Sequence, residues 1–206
     1  MKFKIILSAF LLLIYSFSFG QESKLKQFMK LSCPEKWWVV GHPFVAKKAL
    51  KISEYARAIT EEVKENGLLK GEGNGDQLDA FRHTFWMANL TLEIGGRRAK
   101  KLGKAHEKGN YQDFKKHQLE DGILPDKVSS EMDLYNNDVG IAIGKQSSSF
   151  ELKNIVIELV LQGNCKIIKT DKKGNFLDAE GNIIPTENLK GKWENEKCLV
   201  SSNEVK

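Results

Sequence analysis

From Phe44 to Glu65, apolar side chains at Val45, Ala49, Ile52, Tyr55 or Ala56, Ile59 and Val63 return every three or four residues. That is the period of a helix with one buried face. Gly67 supplies a stop, the stretch "GEGNGD" reads as a loop, and Asp76 stands where a cap for the next helix belongs. The second helix has an apolar stripe of Leu78, Phe81, Phe85, Ala88 and Leu92. Beside it runs a polar one of Asp79, Arg82, Trp86, Asn89 and Glu93, with His83 four residues after Asp79 on the same polar face. Two adjacent stripes of this kind predict a helix buried on more than half its circumference. Gly95-Gly96 ends it, and "RRAKKLGKAHEKGN" predicts a short helix that stops at Gly109-Asn110. "SSEMDLYNNDVGIAIG", entered at Ser129 or Ser130, and "FELKNIVIELVLQG" predict two more.

From Cys165 the period changes to short apolar pairs separated by "KKGN" and "AEGN", the turn chemistry of hairpins. Ahead of the helices lies a mixed lead-in containing "CPEKWWVVGHP", where Pro34 and Pro43 each hold the preceding residue extended, so a helix running across either point is not expected. The first twenty residues combine Lys2 and Lys4, an apolar run and a small-residue junction at Ser18-Phe19-Gly20, the pattern of a cleaved secretory signal. The expected fold is mainly α: a compact helical domain of four to six helices with a small C-terminal antiparallel β appendage. Its divisions are a signal peptide at 1–20, a lead-in at 21–43, the helical domain at 44–163 and the appendage at 164–206.

Composition narrows the function classes only a little. Thirty-two basic against 27 acidic side chains give a net charge of +5, and removing Lys2 and Lys4 leaves +3, too mild to point to nucleic acid. The apolar run of the signal is too short for a stable anchor, so the expected address is secreted or periplasmic, with no membrane attachment after cleavage. Three cysteines, Cys33, Cys165 and Cys198, allow at most one internal bridge. The layout favours a disulfide between Cys165 and Cys198, whose closed loop would contribute about 3–4 kcal/mol.

Candidate chemistry lies in three clusters: Asp79, Arg82, His83, Trp86 and Asn89; His106-Glu107; and Asp133, Asn136, Asn137 and Gly140. In the third, Asp133, Asn136 and Asn137 share one helical face that Gly140 and Gly144 continue without side chains, a surface against which the His83 helix could pack closely. Three readings stay open. In a hydrolytic site, His83, His106, Glu107 and Asp133 would be catalytic, Arg82 would hold an anionic or carbonyl group, and Trp86, Asn136 and Asn137 would contact substrate. Asp79 and Gly140 would be structural. A divalent metal held by His83, His106 and a carboxylate is a variant of this site, although "AHEKG" lacks the second histidine of the H-E-x-x-H signature. In the second reading the same residues form a structural polar core, and the protein is a non-catalytic secreted or envelope binding module. In the third they line a pocket for a small-molecule or envelope ligand. The basic positions Arg97, Lys101, Lys104 and Lys108 read as a solvated helix face or, in a further reading, as a phosphate- or lipid-surface binding stripe, and no phosphate loop or serine nucleophile elbow is present.

Taken together and in order, "DAFRHTFWMAN", "AHE" and "MDLYNNDVGIAIG" resemble a bacterial secreted domain of unknown function with the motifs D-A-x-R-H-x-x-W, A-H-E and M-D-x-x-N-N-x-x-G, which also occurs at the ends of toxin-like chains. The resemblance covers roughly residues 46–144. It implies that Asp79, Arg82, His83, Trp86, His106, Glu107, Asp133, Asn136, Asn137 and Gly140 belong to one unit, and its toxin-like settings imply an enzyme or a membrane-active module.

Overall fold

The computed structural model describes residues 24–119, 122–147 and 151–204. The stretch at 1–20 expected to be a signal sequence lies outside the described residues. The chain divides into two units, 1–31 and 32–206. In the first, Lys24–Lys30 forms a short helix, α1.

The second unit contains α2 (Cys33–Gly41), α3 (Pro43–Glu65), α4 (Gln77–Ile94), α5 (Gly96–Lys115), α6 (Lys127–Gly144), α7 (Leu152–Leu161) and the short α8 (Thr186–Leu189). Two three-residue strands, β1 (Lys166–Ile168) and β2 (Leu199–Ser201), pair antiparallel with Ile167 opposite Val200. The molecule is mainly helical with a small antiparallel sheet near its C-terminus, as the hydrophobic pattern predicts.

The lead-in, which the sequence sets apart from the helical domain, is itself helical over Cys33–Gly41. The prolines do not keep α2 and α3 from forming; both helices start at them. Pro34 and Pro43 occupy first-turn positions, where the missing N–H has no partner to lose. Ser32 completes the entry to α2 as half of a capping box: its side chain meets the Glu35 N–H, and the Glu35 carboxylate accepts from the Ser32 N–H at 2.9 Å. Gly109-Asn110 does not end α5, which runs on to Lys115. Gly109 is there because a Cβ would overlap the Ser32 side chain, so its role is close approach to the start of α2.

The third correction concerns the expected disulfide. All three cysteines are free. The register that pairs Lys166 with Ser201 carries Cys165 opposite Ser202, while the Cys198 carbonyl accepts from the Lys169 N–H. Four strand positions, about 13 Å, therefore separate the two cysteines along the ladder, and a disulfide needs Cα atoms within about 7 Å. Cys165 is instead buried in the core, 3.4 Å from the Thr84 hydroxyl.

Helix α4 is the centre of the fold. Its buried residues lie on every side, from Leu78 and Phe81 to Met87, Leu90 and Ile94. One side packs with Val63 of α3, Leu152, Val156 and Val160 of α7, and Ile167 of β1. The other packs with Trp38 of α2, Ile52 of α3, Leu102 of α5 and Ile141 of α6. Asp76 caps it as expected, its side chain accepting from the Leu78 and Asp79 N–H groups.

The small face of α6 lies against α4. A Cβ on Gly140 would overlap the Thr84 carbonyl, and one on Gly144 would overlap that of Ala88. With Asp133 beside His83, these contacts advance along both helices together, so α4 and α6 run in the same direction at close range.

Between β1 and β2, the chain makes the same turn twice, seven residues apart. Asp171 accepts from the Asn175 N–H and side-chain amide, and Asp178 does the same with Asn182, while Gly174 and Gly181 take the positive φ of 83° and 92° that each turn needs.

Candidate active site

The close packing of α4 on α6 brings the first and third sequence clusters together. Asp79, His83 and Asp133 are all buried. His83 Nε2 lies 3.5 Å from Asp79 Oδ1 and 3.4 Å from Asp133 Oδ1, so one ring edge faces two carboxylates. The Arg82 guanidinium, about a quarter exposed, reaches the same Asp79 oxygen at 2.6 Å, and the other Asp79 oxygen accepts from the Gly75 N–H at 2.7 Å. Asp79 is thereby fixed by the loop before its own helix.

Burial pushes the His83 imidazole well below its ordinary range; the cationic side chains of Arg82 and Arg57 and the neighbouring His106 act in the same direction, against the Asn137 amide beside the ring. Burial thus favours the neutral form of His83. Its Nδ1 makes no hydrogen bond of proper geometry, and neither the oxygen nor the nitrogen of the buried Asn137 amide has a partner. Buried amides and ring nitrogens are ordinarily paired, so this is a localised deficit beside the two carboxylates.

The second cluster separates on folding. His106 is half-buried, with its ring centroid 6.3 Å from that of His83 and 5.8 Å from that of Trp86. Its Nδ1 lies 3.1 Å from Glu35 Oε1. Burial alone would raise the Glu35 carboxyl, but the His106 ring and the Ser32 hydroxyl and N–H bring it down to about 2. Glu107, one residue on, is buried and accepts from the Asn110 amide at 3.3 Å. Adjacent helical residues point about 100° apart, which is why His106 and Glu107 face different neighbours.

The remaining expected contacts find definite places. Trp86 is half-buried, packs edge-on to both histidine rings, and donates from Nε1 to the Ser53 hydroxyl at 2.9 Å. Asn136 is fully buried and is used by β1: its amide donates to the Lys166 carbonyl at 2.9 Å and accepts from the Lys166 N–H at 2.8 Å. Gly140 provides the close approach to Thr84. His42 stacks on Trp38 with centroids 4.7 Å apart, a packing role.

A small cavity of about 40 Å³ opens onto the cluster. Asp79, Arg82 and Asp133 line it together with Ser129, Phe176 and Lys197. It has room for about one water-sized group beside the carboxylates. Lys197 is held there by Asp126, whose carboxylate it meets at 2.6 Å, and by the Phe176 ring, with its ammonium 3.9 Å from the centroid. A larger groove of about 430 Å³ lies at the far end of α4, lined by His42, Gly95, Gly96, Arg97, Arg98 and Lys101 among others. It is remote from the titratable cluster in the first two turns of α4.

Glu35, Ser53 and Lys197 also stand at or beside the site, and their residue types and spacing carry no signal of it. The pattern Ser32-x-x-Glu35 is a readable capping box, but nothing local indicates that Glu35 also meets His106, 71 residues away. Ser53 and Lys197 reach the site only through the packing of α3 on α4 and the return of the C-terminal segment.

Among the described residues no helix is long and apolar enough to cross a membrane. Neither the curated proteins nor the solved structures contain a match to the chain. One family profile does match, over residues 36–167, a span that holds all three motif clusters together with most of α2 and the start of β1. The chain belongs to this family, the domain of unknown function DUF6973.

Proposed function

We propose that the protein is an exported hydrolase-like domain whose reaction centre is His83 between Asp79 and Asp133. The observation that supports this reading is the convergence of a buried imidazole with two carboxylates, both of which line a cavity large enough for a water. A neutral His83 can accept a proton from that water, and Asp79 and Asp133 stabilise the imidazolium that results. Arg82, a quarter exposed at the same cavity, is placed to hold a carbonyl oxygen or an anionic group. Export is inferred from the N-terminal charge and apolar pattern.

The second reading, a binding module with a structural polar core, draws on the burial of the same residues and on the use of Asn136 to hold β1. Asp133→Asn separates the two, because it preserves size while removing one charge. With a panel of ester, phosphodiester and amide substrates, the wild-type chain is expected to turn over at least one class, and Asp133→Asn to lose about 100-fold or more of that rate. Turnover that survives the substitution, or none by the wild type on any class, rejects the hydrolase reading.

A further inference from the structure

The distances around His83 are unusual for a network of hydrogen bonds alone. At 3.4 and 3.5 Å, its Nε2 lies beyond ordinary hydrogen-bond length from both carboxylate oxygens. Those separations suit a different arrangement. Metal–ligand bonds of about 2.1 Å set tetrahedral neighbours about 3.4 Å apart. The three candidate ligand atoms, one each from Asp79, His83 and Asp133, all lie within 4.8 Å of one another.

A second observation comes from the other edge of the ring. Asn137 is 3 % exposed and leaves both of its amide atoms unpartnered, and His83 Nδ1 is unpartnered beside it. A neutral histidine has a single N–H. Coordination through Nε2 would place that proton on Nδ1, where the Asn137 amide oxygen can accept it, the usual support for a ligating histidine. One ion would therefore account for the long carboxylate distances, and it would fix the ring tautomer that directs a proton toward Asn137.

We propose that Asp79, His83 and Asp133 bind a divalent transition-metal ion of Zn²⁺ or Mn²⁺ type, with the cavity beside Arg82 as its open coordination position. The inference rests on the hydrolase reading and revises one role in it: with Nε2 committed to the ion, the ion and not the imidazole would activate the water. One nitrogen and two oxygen donors match the preferences of these ions, and three protein ligands with an open position is the arrangement of a catalytic rather than a structural site. Arg82 offsets one of the two carboxylate charges and already uses an Asp79 oxygen, which retains a second lone pair. The ion and the guanidinium would stand side by side, a pairing that favours phosphoryl or other anionic substrate oxygens.

The test is calorimetric titration of the EDTA-stripped full chain with Zn²⁺ and with Mn²⁺, beside Asp133→Asn and Asn137→Ala. The proposal expects one saturable site in the wild type. It expects a loss of about 10–100-fold for Asn137→Ala, the range for an outer-shell partner, and a larger loss for Asp133→Asn. No saturable binding, or binding that Asp133→Asn leaves intact, overturns it. Should a variant not fold, ¹⁵N shifts of the wild-type imidazoles decide the matter: the ion must move His83 Nε2, and movement confined to His42, His106 or His117 overturns the proposal. Turnover by ion-free protein would remove the metal while leaving the hydrolase reading in place, whereas a bound ion with no turnover would do the reverse.

Discussion

Glu35 shows how one side chain serves two elements. Its carboxylate closes the capping box of α2 and also meets His106 of α5, and these contacts hold its carboxyl at about 2, down from 4.5. A group depressed in this way contributes stability that is fully present above its unfolded value of about 4.5 and lost as pH falls toward 2. The shift corresponds to a contribution on the order of 3 kcal/mol. Glu35→Gln is therefore expected to be less stable than the wild type in urea at pH 6, with the two converging as pH is lowered from 4.5 to 2.5. A gap independent of pH would show that the carboxylate charge is not what the contacts favour. In the sequence, Glu35 is readable as a cap and nothing more, because its second partner is distant along the chain. His83 was legible as a candidate from its residue type and face, but its neutrality is a consequence of burial, which only the packing of α6 on α4 creates.

At the scale of elements, α3, α4, α6 and α7 follow from periodicity because each has an apolar stripe that must be covered. The errors fall where position mattered more than residue type. Pro34 and Pro43 mark helix starts, which sets the lead-in among the helices, and Gly109 has the composition of a stop although it is a contact. The glycine face of α6 was read correctly as a surface for close approach, since Gly140 and Gly144 recur at helical spacing beside Asn136 and Asn137. That contact gives a sharp expectation. Gly140→Ala gains intrinsic helix propensity but drives a methyl into the Thr84 carbonyl, so a net loss of about 1–3 kcal/mol is expected in urea unfolding. Gly41→Ala, with nothing within 4 Å of the added carbon, is the control and should stay within about 0.5 kcal/mol of the wild type. Equal effects at the two glycines would mean that α4 and α6 do not touch as described. The cysteine pairing failed for an element-level reason as well: bracketing in sequence says nothing of register, and the register sets Cys165 and Cys198 four positions apart.

Across the whole molecule, the candidate site is assembled from segments that have no local reason to meet. The C-terminal stretch is more than an appendage. Cys165 and Ile167 belong to the main core, the Lys166 backbone is held by Asn136, and Lys197 and Phe176 line the cavity. The sequence supplied the membership of the cluster through its three motifs, whereas the sorting within it came from packing: Asp79, His83 and Asp133 together, His106 with Glu35, Glu107 with Asn110. The central claim is that the first group is a reactive site and not a stabilising core. The two alternatives make opposite demands on stability. A site that gathers two carboxylates around a neutral imidazole opposes the fold locally, so removing one charge should cost little or be favourable. A buried structural network instead loses on the order of 3–5 kcal/mol when one charged partner is removed. The most direct measurement is the melting temperature of Asp133→Asn beside the wild type, both in EDTA. The account predicts an unchanged or higher value. A fall of about 6–12 °C, the equivalent of some ~3 kcal/mol in a chain of this size, would contradict it.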